Sequence, residues 1–370
     1  MSPLYKIVPV AFFILSLAHP SKGQILENSD AFDKIRSGVI NIYNCEFDKA
    51  NEVSEYLEKR FPENAISYLF KGMVLYWEAF PVIPGTASSR LFEEYLRKGM
   101  ELAEARLKEN GSDAENLLSG LGSAGLLLLY YADNGESGKV ITLAPKTYQW
   151  VMKSFDFTDT YKDFYFITGL YNYYREAYTE AHPIYKPVLV FFPHGNKKLG
   201  LKQLKIASDS AIFLMAESIN FLSGIYQSFE KDPVQAVVYS KKLKEKFEQN
   251  LFFKTGYARD LLIIKKYGEA ESLLKSISYS DLNKYFQSQV DLLMGIIQEK
   301  KYKNRKFAEE LYWNGIRKAK FYGQFGADYA SYGYFGLSRI YVESGKFKAA
   351  KQYRRQAKEL STFDHINFDQ

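Results

Sequence analysis

AFDKIRSGVINIYNCEFDKANEVSEYLEKRFPEN, residues 31–64, decides the fold. It holds two apolar stripes of helical period, FDKIRSGVINIYN and FDKANEVSEYLEKR, that meet near Cys45. Ala31, Gly38 and Ala50 put small side chains at its first, eighth and twentieth positions, and Pro62 stands at the thirty-second. The next copy opens 34 residues on, at Ala65, with Gly72 again in eighth place. Gly224 and Ala236 take eighth and twentieth places in a unit from Glu217; Ala258 and Ala270 take them in a unit from Leu251, 34 residues later. Small residues recurring at this period describe stacked helical hairpins. Two antiparallel helices cannot bury their apolar faces alone, so each hairpin leans on the next. A bulky side chain at the eighth or twentieth place would hold the helices apart. Proline near the thirty-second ends the second helix because it has no amide hydrogen to donate.

Working outward, the second unit keeps its first helix, Ala65 to Phe80, then a loop intrudes over Pro81–Ser88 and the second helix runs from about Arg90 to Asn110. Asp113 to Asp133 and Lys139 to Phe155 read as a degenerate third hairpin. The fourth opens with Asp163 to Tyr178, Gly169 in eighth place, and resumes at Lys197 only after an insertion, Thr179–Asn196. A seventh covers Tyr285 to Lys320, and the eighth, from Ser331, carries Leu337, Tyr341, Gly345, Ala350 and Ala357 on register. The tail after Leu360, STFDHINFDQ, has no periodicity and is expected to fray. The expected fold is all-α: a right-handed α-solenoid of about eight hairpins. It forms one domain over residues 24–370, after a leader at 1–23.

That leader has Lys6 as its positive end, an apolar run from Ile7 to Ala18, and small residues at Ser21 and Gly23 before Gln24, the pattern of an export signal. Its apolar run is too short for a bilayer core of about 30 Å, and Pro9 interrupts it. Without Lys6 and Lys22 the formal net charge falls from +6 to +4, too mild a bias to suggest nucleic acid as a partner. Cys45 is the single cysteine, so an intramolecular disulfide is excluded and stability must come from core burial. It reads as a half-buried filler of a hairpin turn, with an intermolecular bridge or reactive thiol as the alternative.

The Gly/Ala, Ala, Pro pattern, together with YFGLSRIYVESGKFKAAKQYRRQA near the end of the chain, resembles the tetratricopeptide repeat superfamily over about two-thirds of the mature chain. The resemblance implies recognition of a protein or peptide along the concave face formed by the first helices. Exported members are similar to periplasmic or outer-membrane-associated proteins of Gram-negative bacteria. Location in the periplasm, or on the periplasmic face of the outer membrane, is therefore expected, with peripheral contact to an envelope membrane.

Chemistry-bearing motifs are scarce. Gly120, Gly122 and Gly125 spell G-x-G-x-x-G, but the residues before them read as helix rather than strand, so close helix packing accounts for them better than a dinucleotide. His182 and His194, with Glu176 and Glu180, lack the spacing that sets two ligands on one helix face, and no metal or cofactor is expected. No nucleophile elbow or phosphate loop occurs. Asp163 and Glu176 stand too far apart on one helix to act as an acid–base pair, so no catalytic residues are expected. Within the insertion, Val188–Phe192 is too apolar to lie free in water; burial in the chain's own groove, a partner and a membrane surface are the three destinations.

Aromatic residues make up 16% of the chain, more than repeat packing demands. On the 34-residue register the inward places carry Tyr76, Trp77, Phe166, Tyr173, Tyr174, Phe221, Arg259, Tyr332 and Arg339. Rings with polar tips and guanidinium groups compose binding hot spots, though they also fill helix–helix seams. The expected function is a non-enzymatic, exported scaffold that holds a protein or peptide in this groove. The alternative is a small-molecule or glycan binder of the cell envelope.

Overall fold

A computed structural model describes residues 24–181, 190 and 192–369; the leader and most of the insertion's apolar core lie outside the described residues. Among the described residues there are sixteen α-helices and no strand. They are α1 (Ser29–Tyr43), α2 (Phe47–Arg60), α3 (Ala65–Glu78), α4 (Ala87–Glu109), α5 (Ala114–Asp133), α6 (Ser137–Ser154), α7 (Phe164–Ala181) and α8 (Lys197–Ser210). Then come α9 (Met215–Ser228), α10 (Pro233–Lys246), α11 (Leu251–Ile263), α12 (Tyr267–Lys275), α13 (Lys284–Lys300), α14 (Arg305–Lys320), α15 (Ala327–Glu343) and α16 (Phe347–Leu360). Consecutive helices pack as neighbours, and odd-numbered helices also touch one another, α1 on α3, α3 on α5, α11 on α13 and α13 on α15. This is the packing pattern of an α-solenoid, with the odd-numbered helices on one side.

The helix ends repeat as regularly as the interiors. Side chains of Asn28, Asn64, Asp113, Asn196, Asp232, Asn250, Asn283 and Asn304 each accept an amide hydrogen of the turn they open. Four hairpins turn in three residues, and the middle one, Cys45, Gly135, Lys265 or Gly345, has φ of 59, 73, 62 or 73°. In each the next amide reaches back to close the helix: Glu46 to Asn41, Glu136 to Tyr131, Lys266 to Leu261 and Lys346 to Tyr341, at 2.8–2.9 Å.

Small residues act as the repeat requires. A Cβ on Gly38 would strike the Phe70 ring at 2.5 Å, and one on Gly169 would meet the α8 backbone at 3.1 Å. Gly224 is an exception to the expected register. It faces open space, and Ser223 takes the close position instead, donating its hydroxyl to the Ala236 carbonyl at 3.0 Å. The cause is the α9–α10 turn, which spans four residues with Lys231 left-handed and so moves α9 one place.

The concave side is not left hollow. Tyr43 at the end of α1 crosses to α10 and α11, its ring 5.3 Å from Phe247 and 6.3 Å from Phe253, and its carbonyl accepts Asn250 Nδ2 at 3.1 Å. Phe80, just past α3, meets Phe252, Tyr285 and Phe325 at 5.3–5.8 Å, and its carbonyl accepts Asn283 Nδ2 at 3.0 Å. The tail does not fray either. Thr362 N–H donates to Asp328 at 2.8 Å, the Phe363 ring lies 5.3 Å from Phe229, and Ile366 and Phe368 are buried. Alternation of apolar and polar residues is absent from that segment, yet its rings find seats on α9 and α15.

Candidate functional site

What remains of the concave side is a pair of adjoining spaces. The outer chamber, about 450 Å³, lies between α1, α3, α5, α9, α11, α13 and α15. Its exposed rim holds Ala132, Gln324, Asp328 and Thr362; buried Tyr43, Tyr76, Phe253 and Tyr285 form its depth. The inner cavity, about 310 Å³, is walled by Leu69, Met73, Leu118, Leu121, Phe166 and Phe213, with Gly122 and Gly125 of α5 giving it room. Trp77, Leu126, Leu129, Glu217 and Phe221 border both.

Glu217 is the polar group at that junction. One carboxyl oxygen accepts the hydroxyl of Tyr43, while Oε2 is shut from solvent with no hydrogen-bond partner. Burial, with Asp163 adding to it, outweighs the Tyr43 hydrogen bond and pushes the Glu217 carboxyl up to about 7. Asp133, the last residue of α5, likewise rises to about 7 through burial and the charge of Asp328. Burial, then Asp133 and Glu217, hold the Tyr76 phenol well above its ordinary value. The two acids thus face one tyrosine from opposite helices, and neither has a basic partner among the described residues.

The candidate residues divide. Tyr76, Trp77, Phe166 and Phe221 line the two spaces. Tyr173 and Tyr174 pack on Phe229 at 6.1 and 5.4 Å, and the Tyr173 hydroxyl donates to Glu230 at 2.5 Å. Arg259 is clamped on Asp260, Nε and Nη2 at 2.9 and 2.7 Å from Oδ1. Arg339 chelates Glu299 at 2.6 and 2.9 Å and also donates to the tail at the Asn367 carbonyl. Tyr332 is buried beneath Phe368, rings 5.2 Å apart. These five are expected from the register to line an open groove; in the structure each meets the chain itself, as inward-pointing places do in a curved array.

Glu217, Asp133 and Tyr43 are among the lining residues that the candidate set lacks. Tyr43 holds the thirteenth place of the first unit, the inward place that Trp77 holds in the second. Once α9 is moved one place by its longer turn, Glu217 falls on an inward position too. Asp133 carries no such signal. Asp163, by contrast, is structural: its carboxylate accepts the amides of Ile212, Phe213 and Leu214 at 2.8–2.9 Å. Glu176 accepts Gly195 N–H at 2.9 Å, which fastens the exit of the insertion to α7.

The G-x-G-x-x-G stretch lies inside α5, Gly120 against Trp150 and Gly122 against Leu69, as helix packing requires. His182 lies outside the described residues, and among the described residues no three His, Cys, Asp or Glu side chains gather as a metal site. Burial raises the Cys45 thiol, the opposite of what a reactive thiolate needs. No described helix is long and apolar enough to cross a membrane. No family model matches the chain, and no curated protein is significantly similar to it.

Proposed function

We propose that this chain is an exported, non-enzymatic binding protein, built from about eight tetratricopeptide-type hairpins in a right-handed solenoid. Its ligand is a small, largely apolar molecule, held within the concave side rather than along an open groove. The observation that carries this reading is the 310 Å³ apolar cavity adjoining a ring-lined chamber, with Trp77 bordering both. Volumes of roughly 300–1,000 Å³ with a few convergent polar groups are those of small-molecule sites. The apolar walls fit a hydrocarbon or aromatic body and offer a glycan little to bond. A protein or peptide partner enters this proposal through an apolar side chain placed in the same cavity. Periplasmic residence rests on the leader pattern and on the repeat resemblance.

Acid–base catalysis is the second reading, favoured by the two raised carboxyls in one chamber. It requires turnover of a substrate, whereas the binding reading requires that bound molecules be recovered unchanged; mass spectrometry of the released ligand separates the two.

Gly125→Leu tests the binding reading directly. A Cβ at Gly125 meets nothing within 4 Å, and the position lines the inner cavity, so the leucine fills it without displacing backbone. The variant should fold at least as stably as the parent, since leucine gains about 0.8 kcal/mol of helix propensity over glycine. It should lose the Trp77 fluorescence response to apolar ligands. An unchanged response would place binding elsewhere.

A further inference from the structure

The outer chamber is chemically lopsided. Its wall holds three carboxyl groups, from Asp133, Glu217 and Asp328, and no lysine or arginine among the described residues. Asp328 is engaged at the rim, where Thr362 N–H and hydroxyl donate to it at 2.8 and 3.2 Å. Asp133 makes no hydrogen bond or ion pair with the described residues, and Glu217 Oε2 is buried and unpartnered. Tyr76, Asn220 and Gln324 also line the chamber, but none of them donates to Asp133 or to Glu217 Oε2. The Tyr43 hydroxyl already serves the other oxygen of Glu217, and Arg259 of α11 is held by Asp260. Buried polar atoms are rarely left unpaired, and a carboxyl without a donor in an apolar wall is costly. A ring wall beside it presents negative quadrupole faces, which attract a cation rather than an anion. Trp77, Phe80, Phe252 and Phe253 line that wall.

We infer that the molecule bound here is an organic cation: an ammonium group seated between Asp133 and Glu217, with an apolar body running past Trp77 into the inner cavity. This rests on the chamber being a ligand site at all. The ammonium supplies the donors that Glu217 Oε2 and Asp133 lack, the rings add cation–π attraction, and the hydrocarbon leaves water for the apolar cavity wall. An anionic amphiphile of the same shape meets three carboxyls and is rejected.

Three probes of one length separate charge from hydrophobicity: n-octylamine, 1-octanol and octanoate, titrated at pH 7.5 by calorimetry and by Trp77 fluorescence. The amine is cationic there, as a lysine ammonium is. Octylamine should bind at least tenfold more tightly than octanol, and octanoate more weakly than both. In the Asp133→Asn/Glu217→Gln double variant the amine and the alcohol should bind alike. If octanol matches octylamine in the wild-type chain, the charge inference fails and the apolar site stands. If neither binds, the chamber reading fails and takes the inference with it. An amine preference that survives in the double variant also overturns the inference, because the charge is then read elsewhere. Should the double variant not fold, wild-type titrations at pH 5.5 and 8 decide: the amine's advantage must shrink at the lower pH, and an advantage that stays constant overturns the proposal.

Discussion

Replacing Glu217 by glutamine removes a titrating group while keeping an oxygen for the Tyr43 hydroxyl. In the folded chain the carboxyl is raised from 4.5 to about 7, so the native state binds more protons than the unfolded state between those values. Stability from this group is therefore fully present below about pH 4.5, and is lost as pH rises through 7. Between pH 5 and pH 8 the loss comes to about 2.5 kcal/mol. Unfolding entropy for a chain of this length is roughly 0.7 kcal/mol per degree, which converts the loss into about 3–4 °C of Tm. Differential scanning calorimetry of both proteins at half-unit steps over that range reads it. The Tm of the wild-type chain should fall more steeply with pH than that of Glu217→Gln, and the curves should part by those few degrees at pH 8. Asp133 tilts both curves in the same direction, so the difference isolates Glu217. Parallel curves would mean that the Glu217 carboxyl is hydrated, and that the wall around it is not the dry surface described above.

Three further outcomes follow from particular contacts. Lys265→Gly relieves a left-handed turn residue whose side chain is exposed and should stabilise by about 0.5–1 kcal/mol, while Gly345→Ala at the equivalent turn should destabilise by about 1 kcal/mol; urea midpoints check both. Asp163→Ala orphans the amides of Ile212, Phe213 and Leu214 and should lower stability by about 3 kcal/mol or more; a loss under about 1 kcal/mol in the same assay would refute the role given to it. Deleting Ser361–Gln370 bares the seats of Ile366 and Phe368, each worth roughly 1.5–3 kcal/mol, and removes one set of acceptors from Arg339. The truncated chain should melt several degrees lower and recover when the ten-residue peptide is added; an unchanged Tm would mean the tail is not docked.

The helical pairs were legible because each is fixed locally. Apolar stripes and small residues at crossings act within one hairpin, and they place α1–α7 within about three residues of expectation. Gly224 shows where local reading slips: one extra residue in the α9–α10 turn exchanges Gly224 for Ser223 at the crossing and turns Glu217 inward. The site is less legible because it depends on curvature, which is a sum over all hairpins. Tyr76, Trp77 and Phe166 reach the two spaces as their register implies, and Phe221 reaches them although the shift of α9 takes it off its inward place, whereas Tyr173, Tyr174, Arg259, Tyr332 and Arg339 meet Phe229, Asp260, Phe368 and Glu299 instead. A nonperiodic tail gives no sign of being bound, since its partners lie on helices more than thirty positions away, as Asp328 is from Thr362.

The seam between the first hairpins and the later ones changes how such an array is made. Tyr43 waits 207 positions for Asn250, and Phe80 waits 203 for Asn283. During synthesis the rings of Tyr43, Trp77 and Phe80 stay bare until the second half of the chain emerges, a long interval of sticky surface. Folding here must end with a ring closure rather than proceed by adding one hairpin after another, so it should be slow for an all-helical protein and should favour a chaperone that shields aromatic segments meanwhile.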